Sequence, residues 1–221
     1  MKLCFPQIEN VIKIDGTNVN EVVIENQTLF RTFIEDLNLS VNGTKGESVL
    51  SIQERPVDMS KYSQIITEFA PLQLNKKTLI TKITQILEKE ALNENNYLST
   101  MELMRSVECY LNDLSLELPC EIMFAKTTIG NLIKALSLEI VEEGKETIEK
   151  ILDYMELVRE LEREKLFILV NIRSYFNDET MEKFIETVLL HDHKILMLES
   201  QSRKRLTRTQ RLTIDSDLCE F

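Results

Sequence analysis

Leu166-Phe167-Ile168-Leu169-Val170-Asn171 is the stretch that decides the fold. Five apolar residues in a row, without alternation, suit a strand buried on both faces. The run is too short to cross a membrane. Upstream, Ile148, Ile151, Leu152, Met155, Val158 and Leu161 recur at helical spacing. Downstream, Met181, Phe184, Ile185, Val188 and Leu189 do the same, and Lys194 to Glu199 reads as a second short strand. Helix, strand, helix, strand is built on a βαβ unit, which requires a parallel sheet. The first strand ends in Asn171, where open α/β sheets place their functional loops.

The composition narrows the classes. In 221 residues, a 43% hydrophobic share supplies a core, and only 5 Gly and 4 Pro argue against a loop-rich or all-β fold. Trp is absent and aromatics are few, which disfavours stacking platforms for single strands. The net charge of −11 argues against a general nucleic-acid coat. A polyanion partner would need a concentrated basic patch, or a cation to offset the protein's own field. Cys4, Cys109, Cys120 and Cys219 are widely spaced without C-x-x-C and read as free thiols in a reducing compartment. The first residues show no leader pattern and no apolar run reaches membrane length, so a cytoplasmic protein without a membrane partner is expected.

Residues 1–70 read as mixed α/β. Strands are expected at Val11–Ile14, Val22–Ile24, Ser48–Ile52 and Ile65–Phe69, with a helix from Gln27 to Asn38. Residues 71–137 read as helical. Asn75 is the expected N-cap of a first helix, and Ser99 with Glu102 has capping-box spacing for a second. A third helix is expected from Thr128 to Leu136. Residues 138–221 return to α/β, with Leu138–Val141 a further strand. The expected architecture is thus one discontinuous α/β domain, 1–70 and 138–221, with a helical insertion at 71–137.

A buried strand beside a helix invites a search for a phosphate loop. Neither G-x-x-x-x-G-K-[ST] nor G-x-G-x-x-G occurs, and the 166–170 run ends in a neutral amide rather than the Asp that would hold Mg²⁺. The pattern suggests a nucleotide-hydrolase scaffold without its working parts, so no bound nucleotide is expected. His191 and His193 can ligate a metal from a strand, but read more simply as an exposed turn before residue 194. Glu108, Asn112, Asp113, Glu117 and Glu121 gather oxygen donors around the break at Pro119, as a hard cation prefers, or form a solvated helix end. Arg203, Lys204, Arg205, Arg208 and Arg211 follow one another without an intervening acid. They form a phosphate-binding patch, or pair with Asp215, Asp217 and Glu220 or with a neighbouring subunit. Lys76, Lys77, Lys82, Lys126 and Lys134 lie in or beside the helical insertion.

Taken together, Ile129-Gly130-Asn131-Leu132-Ile133-Lys134-Ala135-Leu136-Ser137-Leu138-Glu139-Ile140, the helix from Thr147, Lys165–Asn171 and Ile195–Glu199 resemble the type II-A CRISPR-associated adaptation protein, the Csn-two family. Ile65-Ile66-Thr67 and the helix after Asn75 fit the same order, and the resemblance covers nearly the full length. It implies a degenerate P-loop-NTPase-like head domain with an inserted α-helical leg. It implies a ring-shaped homotetramer that binds double-stranded DNA ends through its central hole, is held by Ca²⁺ and assists spacer acquisition without catalytic activity. The implied partners are the CRISPR integrase complex and the type II effector nuclease. The implied cation segment falls on Asp113, Glu117 and Glu121. The DNA-contacting candidates are Lys76, Lys77, Lys126 and Lys134, then Arg203, Lys204 and Arg205. The competing readings are an ATP-using enzyme on the same scaffold, and an acidic scaffold that meets only proteins.

Overall fold

The buried strand at Leu166–Val170 is the second of five in a wholly parallel sheet. A computed structural model of the chain describes residues 1–125 and 127–221. In chain order the elements are β1 (Lys2–Phe5), β2 (Ile8–Lys13), β3 (Val19–Ile24), α1 (Gln27–Val41), β4 (Val49–Ile52), β5 (Arg55–Val57), the single turn α2 (Met59–Tyr62) and β6 (Ser63–Ile66). Three helices follow: α3 (Lys77–Ala91), α4 (Tyr97–Ser115) and α5 (Ile129–Ala135). The chain then forms α6 (Thr147–Leu161), β7 (Leu166–Val170), a 3-10 turn (Ile172–Ser174), α7 (Asp178–Leu190), β8 (Lys194–Glu199) and β9 (Thr209–Ile214). The parallel sheet has the order β6-β7-β8-β3-β9, and a separate antiparallel sheet has the order β2-β1-β4-β5. The fold class is α/β with a parallel sheet.

The chain divides into two units, Met1–Leu72 with Gly144–Phe221, and Gln73–Glu143. In the first, one face of the parallel sheet contributes Val22, Ile24, Leu166, Ile168, Val170, Leu196 and Leu198 to a single core. Leu29, Phe33 and Leu37 of α1 and Leu3, Phe5 and Leu50 of the antiparallel sheet complete it, with Phe5 stacked on Phe33 at 4.7 Å. Alternate residues such as Phe167, Leu169, Ile195 and Met197 turn to the opposite face and are also buried. There α6 buries Ile151, Tyr154, Met155 and Val158, and α7 buries Met181, Phe184, Ile185 and Val188. Two-sided burial explains why β7 is apolar at every position.

In the second unit, α3 packs on α5, and Gly130 lies so close to the Glu88 carboxylate that a Cβ would meet it at 2.7 Å. Three local expectations fail here, two of them because the Asn75 side chain bonds to loop backbone instead of capping a helix. Asn75 is not the N-cap of α3; that residue is Lys76, without a side-chain cap bond. The Asn75 amide instead grips Ile140 from both sides, donating to its carbonyl at 3.0 Å and accepting from its N–H at 2.7 Å. The Glu142 carboxylate accepts from the Leu74 and Asn75 N–H groups. Residues 138–141 therefore form an irregular segment, not a strand. Ser99 lies inside α4, which starts two residues earlier, and Asn93 accepts from the Asn95 and Asn96 N–H groups ahead of it. Asn75→Ala is expected to cost about 1–2 kcal/mol in urea denaturation of the full chain. It should also speed hydrogen exchange at the Ile140 amide, and an unchanged exchange rate would remove the grip from the account.

Candidate nucleic-acid interface

The carboxyl ends of β7 and β8 open onto the loop of residues 200–208, which carries most of the basic run. Asn171 ends β7 in the left-handed region at φ 55°, a conformation that Asn tolerates. Its N–H donates to the Leu198 carbonyl, and its Oδ1 accepts from both the N–H and the hydroxyl of Ser200. The ends of β7 and β8 are thus tied together where the loop begins.

Beneath the loop lies a buried charge network. Glu21, 1% exposed in the middle of β3, accepts from Arg173 Nη1 through Oε1 and from Arg211 Nε through Oε2, both at 2.8 Å. Arg173 is equally buried, and its Nη2 donates to Asp178 at 2.9 Å and to the Lys204 carbonyl at 2.8 Å. Arg211 Nη1 donates to the Arg203 carbonyl at 2.7 Å. One buried carboxylate therefore orients two arginines, and each arginine holds one carbonyl of the exposed loop. Burial pulls the Arg173 pKa down, but the bonds to Glu21 and Asp178 outweigh it and hold the guanidinium above its ordinary value. Glu199 closes the network by accepting from the Arg173 N–H at 3.2 Å. Burial pushes its pKa up to about 7; the bond from Arg173 works against this, and the Glu21 charge adds to it.

This arrangement sorts the basic run. Arg203, Lys204, Arg205 and Arg208 are exposed, while Leu206 is buried and pins the loop. Arg203 Nη2 reaches the Ser174 hydroxyl at 3.3 Å, and Arg205 Nη2 the Thr209 carbonyl at 2.8 Å. The Thr207 N–H and hydroxyl bond to Glu182. Arg211 faces inward and is structural. The tail acids are engaged elsewhere: Asp215 accepts from the Asp217 and Cys219 N–H groups, and Glu220 from the Glu9 and Asn10 N–H groups.

The other basic candidates lie in the helical unit. Lys76 and Lys77 are exposed at the start of α3, and Lys134 is exposed in the last turn of α5. The chain from Gly130, against Glu88, to Ile140, against Asn75, runs back along α3 toward Lys76 and Lys77. Lys126 lies outside the described residues. Asp113 is exposed in the last turn of α4, and Glu117 and Glu121 are exposed in the irregular segment after it. Oxygen donors on such a segment suit Ca²⁺. Among the described residues, however, they form no group of three with donor atoms close enough to share an ion; Glu156, His191 and His193 do.

Glu21, Arg173, Glu199 and Glu156 did not stand out in the sequence. A usable signal existed for the first two: a charge inside the run Val19–Ile24, and an arginine three residues past the end of the most apolar strand.

The chain is similar to proteins already described. A family model described as CRISPR-associated protein (Cas_Csn2) matches residues 40–218. The CRISPR-associated protein Csn2 of Streptococcus agalactiae is 25% identical over 183 residues, 83% of this chain and 74% of that protein. The crystal structure of Stu0660 of Streptococcus thermophilus superposes with a TM-score of 0.56 at 15% identity, over 90% of this chain and 68% of that one. At that identity the likeness is one of fold.

Proposed function

The chain belongs to the Cas_Csn2 family of CRISPR-associated proteins, the adaptation proteins of type II-A systems, and we propose on that premise that it is a non-catalytic ring that binds double-stranded DNA ends during spacer acquisition. The observation that carries the DNA-binding reading is the loop 200–208. It displays four exposed cations on a chain of net charge −11, with its backbone held by buried ion pairs. Contacts of this kind go to phosphate, so binding is independent of sequence. Lys76, Lys77 and Lys134 of the helical unit, and Lys126, are the further candidates for phosphate contact.

The first unit reads as a degenerate P-loop-like head and the helices of 73–143 as its inserted leg. The connection from β3 to α1 supports that reading. It consists of Glu25 and Asn26 alone, and Asn26 Oδ1 caps the helix by accepting from the Leu29 N–H at 3.0 Å. Two residues cannot wrap a phosphate chain, and one of them is negative. An ATP-using enzyme is therefore the weaker reading.

The same membership supports a homotetramer. Leu98, Tyr110, Leu114 and Leu116 of the helical unit are between 53% and 82% exposed, apolar surface that a second copy would cover. Asp113, Glu117 and Glu121 would hold Ca²⁺ only with oxygens from outside one chain, which makes the cation a device of assembly. Light scattering should give the mass of four 25.8 kDa chains, and EGTA should lower both that mass and the DNA affinity. The integrase complex and the effector nuclease are the expected protein partners.

The test compares one DNA fragment as a linear duplex and as a closed circle at one salt concentration. A threaded ring should bind the circle at least tenfold more weakly. Each phosphate contact adds roughly 0.9 to the slope of log affinity against log salt. Replacing Arg203, Lys204, Arg205 and Arg208 by glutamine should flatten that slope for all sequences alike. Equal affinity for line and circle removes threading, and an unchanged slope in the variant removes the loop from the interface.

A further inference from the structure

We propose that Glu156, His191 and His193 form a binding site for a borderline transition-metal ion, Zn²⁺ by preference, that fastens α6 to the turn between α7 and β8. The inference is independent of DNA binding and of the Ca²⁺ reading.

The turn is built to present two imidazoles together. His191 is the C-cap of α7, Asp192 takes the left-handed conformation at φ 57°, and the His193 N–H donates to the Val188 carbonyl at 2.9 Å. Reversing the chain within one residue sets the two rings nearly parallel, 14° apart, with centroids 6.1 Å from each other. Glu156 of α6 reaches this pair. Its Oε2 lies 3.2 Å from His193 Nε2 and 4.0 Å from His191 Nδ1. The three donor atoms all fall within 4.8 Å of one another.

Three observations distinguish this group from an ordinary surface ion pair. First, Glu156 Oε2 is fully removed from solvent and accepts no hydrogen bond, an orphaned acceptor aimed at the imidazoles. Its partner oxygen Oε1 is taken by Arg159. Second, the 3.2 Å separation from His193 Nε2 lacks hydrogen-bond alignment. It matches the spacing of about 3.3 Å that two ligands adopt on a tetrahedral ion with bonds of 2.0–2.1 Å. Third, the His193 ring is placed in advance. It is 3% exposed and meets Phe167 edge-on, with centroids 6.3 Å apart. His191 is half exposed and free to turn toward the ion.

The donor set names the metal class. Two imidazole nitrogens and one carboxylate suit Zn²⁺, Co²⁺ or Ni²⁺, and not Ca²⁺, which takes oxygens. Three protein ligands leave a fourth position for water. Arg159 orients the carboxylate through Oε1 and donates to the His191 carbonyl at 2.6 Å. Its charge also opposes the ion, which places the affinity below that of a closed structural zinc site.

The experiment titrates Zn²⁺ alone into the chelator-treated full chain by calorimetry. The expected result is one ion per chain, a rise in Tm, and no competition from Ca²⁺. With Co²⁺ the visible spectrum should show nitrogen and oxygen ligation without a thiolate charge-transfer band. His191→Ala touches an exposed ring and should leave the metal-free Tm unchanged while weakening Zn²⁺ at least tenfold. The double variant Glu156→Gln/His191→Ala should abolish the Tm rise. Three results would overturn the proposal: no zinc bound by the native chain, undiminished affinity in the double variant, or a thiolate band with Co²⁺, which would place the ion on the free cysteines.

Discussion

Arg173→Met is expected to destabilise the protein by about 3–5 kcal/mol in urea denaturation at pH 7, the cost of breaking a buried ion pair from one side. Methionine fills much of the same volume, so the loss is electrostatic rather than a cavity. Glu21, 1% exposed, keeps only Arg211, and the Lys204 carbonyl loses its donor. Removing the carboxylate as well should recover part of the loss, because Glu21→Gln/Arg173→Met no longer buries an underpaired anion. The loop should respond too. With Lys204 released, residues 203–205 lose an anchor, and if that loop meets DNA the affinity should fall although no exposed cation has been touched. A cost under about 1 kcal/mol for the single variant would show that the network does not hold the loop.

The same network explains where the sequence was legible and where it was not. The 166–170 strand could be read because both its faces meet apolar neighbours, leaving no periodicity to misassign. The helical faces of α1, α6 and α7 could be read from spacing alone, since each buries one stripe. Strand β3 could be read only from Val22 onward, because Asn20 and Glu21 look like turn residues. In the structure it starts at Val19 and all six positions are buried. Glu21 is tolerated there because Arg173, 152 residues away, and Arg211, 190 away, supply its counter-charge. No local pattern carries such a pairing. Strand β9 was missed for the mirror reason: Thr209–Ile214 includes Arg211, whose charge reads as surface until Glu21 is placed opposite it in the register. The expected strand at 138–141 erred the other way. Its alternation was real, but Asn75 occupies the backbone groups that a neighbouring strand would need. The Glu156–His191–His193 group shares this illegibility. The two histidines were visible as a pair, but their carboxylate comes from a helix 35 residues earlier in the sequence.

Glu199→Gln is expected to remove a pH dependence of stability worth about 3 kcal/mol. In the fold, burial lifts this carboxyl from 4.5 to about 7, with Glu21 adding to the rise and Arg173 and Arg203 opposing it. A raised pKa means that the folded chain binds a proton more tightly than the unfolded chain. The stability linked to that proton is present in full below about pH 4.5 and is lost as pH rises through about 7. A shift of that size corresponds to about 3 kcal/mol at about 1.4 kcal/mol per pKa unit. Glutamine keeps an oxygen to accept from the Arg173 N–H and has no proton to lose. The variant should match the native chain at pH 5 and exceed its stability by about 2–3 kcal/mol at pH 8, in urea denaturation at both values. The neighbouring charges do not imitate the effect. Asp178 is half exposed, and the Glu21 carboxylate keeps both arginine partners in the variant. Equal stability at pH 8 would mean that Glu199 stays ionised in the fold, with Arg173 and Arg203 compensating for its burial. The base of the basic loop would then carry a full negative charge at neutral pH, and the field presented to a phosphate backbone would be weaker by that amount.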